Sequence, residues 1–182
     1  MTKIISILLV TAMSLSFTSA NETPDTNKTK NVKPVEVPTF HFTTIADKKI
    51  TITQTDEGLS FPTLKDKNSV ILFYIHTGSP CRKELQLFTK LKPKHSDLEF
   101  ITFELKGLAP DKFKAFQDEL GIKGLNMIDS KQAMPFAQYI AQRAQWKGSV
   151  PLLLISDKKG TLKHMQLGAM NEEQIEEILK KL

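Results

Sequence analysis

The stretch that decides the fold is Ser69-Val70-Ile71-Leu72-Phe73-Tyr74-Ile75-His76-Thr77-Gly78-Ser79-Pro80-Cys81-Arg82-Lys83-Glu84-Leu85. Its residues from Val70 to Ile75 form a continuous apolar run, which is typical of a strand buried on both faces. The next residues predict a turn, and Pro80 suits the first turn of a helix that we expect to end near Leu91. Cys81, the one cysteine of the chain, therefore lies where a buried strand gives way to a helix.

This junction is a place where a thiol can be made reactive, because a helix N-terminus stabilises a thiolate. Redox proteins place two cysteines there, two residues apart, and the outer sulfur attacks before the deeper sulfur resolves the mixed disulfide. Cys81 takes the second of these places, and Gly78 stands where the first cysteine would be. Two interpretations stay open: Cys81 is an inert core thiol, or it is a single reactive thiol that the gap at Gly78 leaves accessible.

The first twenty residues predict a secretory signal peptide, with cleavage after Ala20. A positively charged start precedes an apolar run from Ile4 to Phe17, and small residues follow. An uncleaved anchor is the alternative, although the run is short for a membrane span. We therefore expect a periplasmic or secreted protein that has no stable membrane span after cleavage.

Residues 21–38 are rich in Thr, Asn, Lys and Pro, which predicts a flexible linker. A thioredoxin-like domain is expected over residues 39–182. Export would place this domain in an oxidising compartment, where exposed thiols tend to pair. The linker thus separates the signal peptide from a single folded unit.

Composition and spacing argue against several classes of function. The formal charge is +5, but acids alternate with the lysines and no basic block carries interleaved aromatics, so we expect no nucleic-acid partner. His41, His95 and His164 have no ligand spacing, so no metal site is predicted. No phosphate-binding glycine loop or nucleotide motif is present, and no cofactor is expected.

The apolar periodicity predicts the remaining elements. A hairpin is expected from Phe40 to Gln54, followed by a connector from Leu59 to Asn68. The other expected elements are a strand over Leu98–Leu105, a helix over Ala109–Leu120, a helix over Ala133–Trp146 with Pro135 in its first turn, a strand over Leu152–Ile155, its partner over Thr161–Leu167, and a last helix capped by Asn171 with Gln174 as capping-box partner. This order predicts an α/β thioredoxin-like fold, with a central mixed sheet flanked by helices and an N-terminal β-hairpin.

The dipeptide Val150-Pro151 begins an apolar strand after a helix and is expected to face the turn before Cys81. This context predicts a cis peptide bond, which would bring neighbouring backbone groups within reach of an extended peptide. A trans proline at a strand start is the alternative. The residues expected to line the site around Cys81 are His76, Thr77, Gly78, Ser79, Pro80, Glu84, Val150 and Pro151.

Four further side chains near this site are candidates for a role in it. His76 is a candidate to hold a thiolate or is an ordinary exposed loop histidine. Glu84, three residues after Cys81, is a candidate proton carrier but is expected to pair in solvent. Glu104 ends a strand and is a candidate to approach the site, and Trp146 either lines an apolar rim or packs.

Five segments together resemble the TlpA-like (ResA/DsbE-type) thioredoxin-like proteins, exported thiol-disulfide oxidoreductases with a W-C-x-P-C-x-x-E motif. The segments are Phe42–Ile52, Val70–Tyr74, Ser79–Leu85, Val150–Gly160 and Leu167-Gly168. Within the motif Pro80, Cys81 and Glu84 match, whereas Thr77 and Gly78 replace the tryptophan and the first cysteine. The resemblance implies a role in thiol-disulfide metabolism of the cell envelope, including cytochrome c maturation, with envelope proteins that bear thiols or disulfides as partners.

Three functions follow as hypotheses. Cys81 is the catalytic residue of a single-thiol or degenerate oxidoreductase, or the chain is a redox-inactive binding or chaperone-like module that uses the groove beside Pro151. A thiol peroxidase is the third, although it needs a threonine three residues before the cysteine, and Thr77 stands one residue too early.

Overall fold

The computed structural model describes residues 37–182. The predicted signal peptide and residues 21–36 of the predicted linker lie outside the described residues. The strands are β1 (Thr39–Thr43), β2 (Lys49–Gln54), β3 (Leu59–Ser60), β4 (Asn68–Tyr74), β5 (Leu98–Glu104), β6 (Asn126–Ile128), β7 (Leu152–Ser156) and β8 (Leu162–Leu167). The α-helices are α1 (Ser79–Leu91), α2 (Phe113–Leu120), α3 (Ser130–Ala144) and α4 (Glu172–Leu179), and 3₁₀ turns lie at Lys92–Lys94 and Pro110–Lys112.

A five-stranded mixed sheet with the order β6-β5-β4-β7-β8 forms the centre of the fold. The apolar strand β4 lies in its middle, parallel to β5 and antiparallel to β7. A separate three-stranded antiparallel sheet is made of β1, β2 and β3. The predicted α/β class, with a central mixed sheet and an N-terminal hairpin, is confirmed.

Two apolar clusters lie on the two faces of the central sheet, because successive residues of β4 point to opposite sides. Ile71 and Phe73 belong to the cluster formed with α3 and the small sheet. Leu72 and Tyr74 belong to the cluster formed with α1, α2 and α4, and Cys81 is part of this second cluster. The thiol is thus placed within a core rather than on a surface.

The prediction for the third helix is wrong at both ends. Helix α3 begins at Ser130, because the Asp129 side chain accepts hydrogen bonds from the backbone N–H groups of Lys131 and Gln132 and so caps the helix. Pro135 therefore lies inside the helix rather than in its first turn. Since proline has no N–H, one hydrogen bond of the helical ladder is absent there.

Two short strands were missed, and the last helix ends before Leu182, the residue to which its apolar periodicity extends. The segment predicted as a connector contains β3, and β6 separates α2 from α3. With two and three residues these strands are too short to show an alternating pattern. The capping box of Asn171 and Gln174 is confirmed, but α4 ends at Leu179. Among residues 37–182, no helix has both the length and the apolar character that crossing a bilayer requires.

The side chain of Phe136 provides a test of the first apolar cluster. It is fully buried, and its ring lies 5.1 to 5.7 Å from those of Phe42, Phe73 and Phe103. We expect Phe136→Ala to lower the free energy of unfolding by about 3–5 kcal/mol, measured by urea unfolding, because it leaves a cavity. Met134→Ala on the same helix, at a side chain that is 42% exposed, is the control. Equal losses in the two variants would contradict this packing.

Candidate functional site

Helix α1 begins immediately after the turn that leaves β4. The N–H of Gly78 donates to the carbonyl of Ile75 at 3.2 Å, and Gly78 is the N-cap residue, with extended backbone. Cys81 is the third residue of the helix, and only 1% of it is exposed. The predicted junction is therefore present, and it places the sulfur below the surface.

Gly78 lies directly in front of that sulfur. A Cβ atom at this position would be 3.4 Å from Cys81 Sγ and 3.0 Å from Cγ1 of Ile75. A side chain at position 78 would therefore begin in close contact with the Ile75 side chain and with the sulfur. With glycine there, Cys81 remains buried.

The surroundings of Cys81 favour the neutral thiol. Burial raises the pKa of Cys81; backbone hydrogen bonds at Ile75 and at Cys81 itself lower it without compensating, and the nearby Glu84 carboxylate raises it further. A thiol reacts as a nucleophile through its thiolate. In the folded protein the Cys81 sulfur is therefore a buried thiol whose ionisation is disfavoured.

Glu84 does not lie in solvent, so that expectation is wrong. The residue is 1% exposed, and its Oε2 accepts a hydrogen bond of 3.1 Å from the N–H of Met170. Its Oε1 has no hydrogen-bond partner among the described residues. Burial raises the pKa of Glu84 to about 7, although the Met170 N–H acts in the opposite direction. The three-residue spacing from a buried Cys81 was the available signal, because it puts both side chains on one helix face.

His76 is neither a thiolate partner nor a free loop histidine. Its Nδ1 lies 2.9 Å from Oε1 of the fully buried Glu104. The N–H groups of Lys106, Gly107 and Leu108 donate to the same carboxylate. Burial raises the pKa of Glu104, but His76 and these N–H groups outweigh it, so that the pKa is lowered. The pair anchors the turn to the end of β5.

Further contacts fix the outer part of the turn. Lys106 Nζ donates to Thr77 Oγ1 at 3.0 Å, and Arg82 Nη1 donates to the carbonyl of His76 at 3.3 Å. The Arg82 guanidinium also lies 5.5 Å from the centre of the Phe116 ring and pairs with Glu119. Thr77, like Ser79 and Pro80, remains exposed, so a rigid turn presents these residues to solvent.

The other predicted part of the site is the Val150-Pro151 dipeptide, which directly precedes β7. The Val150–Pro151 peptide bond is cis, and the carbonyl of Pro151 accepts a hydrogen bond of 2.8 Å from the N–H of Gly168. Val150 packs against the cluster that contains Cys81. Trp146 packs against Phe73, with ring centres 5.2 Å apart, and donates to the carbonyl of Ser149.

The structure therefore brings together some of the predicted site residues and separates others. The turn Thr77–Pro80 leads directly into Cys81, and Val150 packs against the apolar cluster to which Cys81 belongs. The His76 side chain is bonded to Glu104 on β5, which lies on the opposite side of β4 from β7. Glu84 faces the segment before α4. No group of three His, Cys, Asp or Glu side chains suited to a metal ion occurs within residues 37–182.

Glu84 gives the site a defined dependence on pH. Its ordinary pKa is 4.5 and its pKa in the folded protein is about 7, so the folded state binds more protons than the unfolded state between these values. The stability that Glu84 contributes is complete below pH 4.5 and is lost as the pH rises to about 7.

We therefore expect Glu84→Gln, which cannot ionise, to flatten this part of the pH profile of the free energy of unfolding. At about pH 8 the variant should be more stable than the unmodified protein by roughly 3 kcal/mol, because glutamine has no buried charge to desolvate. Glu173→Gln, at an exposed position of α4, is the control. An unchanged slope in Glu84→Gln would show that the carboxylate is solvated.

Comparison of the sequence with family models and with curated proteins gives no match. Solved structures do match. StoA from Bacillus subtilis is 19% identical, with a TM-score of 0.58, over 80% of this chain and 99% of that chain. A thiol:disulfide interchange protein of the thioredoxin family from Chlorobium tepidum is 18% identical, with a TM-score of 0.61, over 79% and 92%. A secreted Mycobacterium tuberculosis disulfide oxidoreductase homologous to Escherichia coli DsbE is 14% identical, with a TM-score of 0.57, over 79% and 96%. These likenesses show that the domain has the thioredoxin-like fold.

Proposed function

We propose that this chain is a degenerate thioredoxin-fold protein of thiol-disulfide metabolism in the cell envelope. It binds extended polypeptide segments that carry thiols or disulfides, and it does not exchange disulfides itself. The binding surface is the peptide groove, defined as the surface between Thr77–Pro80 and Val150–Pro151. The observation that carries the proposal is the burial of Cys81, 1% exposed, behind Gly78.

The missing first cysteine explains why exchange is not expected. In a two-cysteine site the deeper sulfur attacks only a mixed disulfide that the outer sulfur has already formed. With glycine at position 78 no such intermediate arises within this chain. The raised pKa of Cys81 further disfavours direct attack on a partner.

The rigidity of the turn supports a binding role. The Glu104–His76 pair and the Lys106–Thr77 hydrogen bond hold the turn on its β5 side, and Arg82 holds it from α1. A surface that is already ordered loses little conformational freedom when a peptide binds. The groove thus retains the framework of a substrate site although the catalytic pair is incomplete.

The predicted signal peptide over residues 1–20 supports the envelope as the place of action. In that oxidising compartment an exposed single thiol tends to pair with other thiols. A buried Cys81 is protected from such pairing. The burial is therefore compatible with a stable, exported binding protein.

Single-thiol exchange is a second candidate, favoured by one observation. Position 78 is close to the sulfur, since a Cβ atom there would lie 3.4 Å from Cys81 Sγ. If the turn opened, the Cys81 thiolate would attack a partner disulfide, form a mixed disulfide and release the partner's other sulfur as a thiolate. A thiol from another molecule would then resolve the mixed disulfide.

Amide chemical shifts of the ¹⁵N-labelled protein test the binding function. The probe is a reduced, unfolded protein that keeps its cysteine thiols, so that it offers the extended, thiol-bearing segments of the proposal. We expect shifts at Thr77–Ser79 and Ser149–Val150, with an affinity that Cys81→Ala changes by less than about twofold, since the thiol is not part of the surface. Binding elsewhere, or loss of binding in Cys81→Ala, would refute the proposed function.

Restoring the missing first cysteine, at position 78, tests whether the groove is an incomplete redox site. In Gly78→Cys, the new Cβ would lie 3.4 Å from Cys81 Sγ, so we expect an internal disulfide after mild oxidation. The variant should also reduce insulin, an activity that we do not expect of the unmodified protein. Free-thiol counts and insulin turbidity measure the two effects, and Gly78→Ser is the control. Two persistent free thiols in oxidised Gly78→Cys would count against this geometry.

A further inference from the structure

Strand β8 forms the outer edge of the central sheet next to β7. Only its beginning is covered from outside: the N–H of Leu162 donates to the carbonyl of Glu57 at 3.2 Å, and Gly58 forms an isolated bridge with Thr161. Within residues 37–182, no strand pairs with the outer edge of the remaining part, from Lys163 to Leu167. This part is called the open edge below.

The direction of the backbone groups along the open edge follows from one hydrogen bond. The N–H of Gly168 points inward, to the carbonyl of Pro151. Since alternate residues of an antiparallel strand face the same neighbour, Met165 and Leu167 direct their N–H and C=O groups outward. The outward carbonyl of Leu167 accepts a hydrogen bond from the Gln166 side-chain amide at 3.0 Å. The Gln166 side chain therefore occupies a backbone acceptor that a pairing strand would otherwise use.

The open edge is also apolar. Met165 and Leu167 of the open edge are 47% and 56% exposed, and Leu162, immediately before it, is 41% exposed; they are three of the five large hydrophobic residues exposed within residues 37–182. Two cavities of about 350 and 300 Å³ adjoin the strand, and Met165 and Ala144 line both. Free edges of natural sheets usually carry charges or proline that prevent pairing, and this segment has only Lys163.

We propose that the open edge pairs antiparallel with the open edge of a second copy of this chain, about a two-fold axis at Gln166. Outward-pointing residues must oppose outward-pointing residues, so Met165 faces Leu167 of the second copy, and Leu167 faces its Met165. Four backbone hydrogen bonds form, and the Gln166 side chain releases the Leu167 carbonyl. The inference does not depend on the proposed peptide groove.

The sequence of the strand identifies the occupant as a second copy. In the symmetric register each apolar outward residue meets an apolar one, on the face where the cavity lined by Met165 and Leu167 opens. Gln166 faces its own counterpart, and His164 faces Gly168, so no like permanent charges oppose each other. Such self-complementarity is what an isologous interface requires. An unrelated extended segment would have to reproduce this pattern by itself.

Sedimentation equilibrium of the full chain tests the association. We expect a reversible dimer in the micromolar range, and Met165→Lys and Leu167→Lys should each weaken it at least about tenfold, because each buries two lysines in the interface. Met134→Lys, at another exposed methionine, should leave it unchanged. A monomer at all concentrations, or a dimer that tolerates both β8 substitutions, would overturn the proposal, even if the edge then binds a different protein.

Disulfide trapping tests the register. In full chains that also carry Cys81→Ala, Gln166→Cys places two thiols opposite each other at a non-hydrogen-bonded pair, where Cα atoms lie about 4.5 Å apart and a disulfide can form. We expect cross-linked dimers under mild oxidation. Lys163→Cys, whose two copies would be offset by about 20 Å along the strands, should not cross-link. Cross-linking of Lys163→Cys in preference to Gln166→Cys would overturn the proposed register.

Discussion

The burial of β4 on both faces is the constraint on which the rest of the structure depends. Its apolar side chains fill one cluster with α3 and another with α1, α2 and α4. Strand β4 ends at Tyr74, which is fully buried, and α1 begins at Ser79. The chain therefore turns sharply between these two elements. The third residue of that helix, Cys81, then lies inside the cluster. The packing of β4 and α1 therefore determines the surroundings of this sulfur.

Burial disfavours the charged forms of the groups around the sulfur. Burial raises the pKa values of Tyr74, Cys81 and Glu84. The Tyr74 hydroxyl has no hydrogen-bond partner among the described residues. A site that works through a thiolate needs the opposite, namely groups that stabilise an anion. The charged elements, Glu104 and Lys106, lie instead at the turn, where they fix its shape. This arrangement is the basis on which we propose recognition rather than exchange.

The sequence was sufficient for the fold and for part of the site. The uninterrupted apolar run identified β4, and the asparagine with a glutamine three residues later identified the start of α4. The predicted start of α3 was too late in the chain. A proline such as Pro135 is expected in the first turn of a helix, and the capping role of Asp129 was not recognised. Glu84 and Glu104 were missed as buried groups, since their burial depends on partners distant in sequence, the N–H of Met170 and His76 respectively.

The most direct test of the account is the rate at which the native protein reacts with a thiol reagent at about pH 8, compared with the rate in denaturant. In the folded protein Cys81 should be labelled only as fast as the protein opens. In the unfolded protein it should react at once and stoichiometrically. Rapid, complete labelling of the folded protein would show an accessible thiolate. That result would contradict the claim that the sulfur is a core group and would establish single-thiol exchange as the better description.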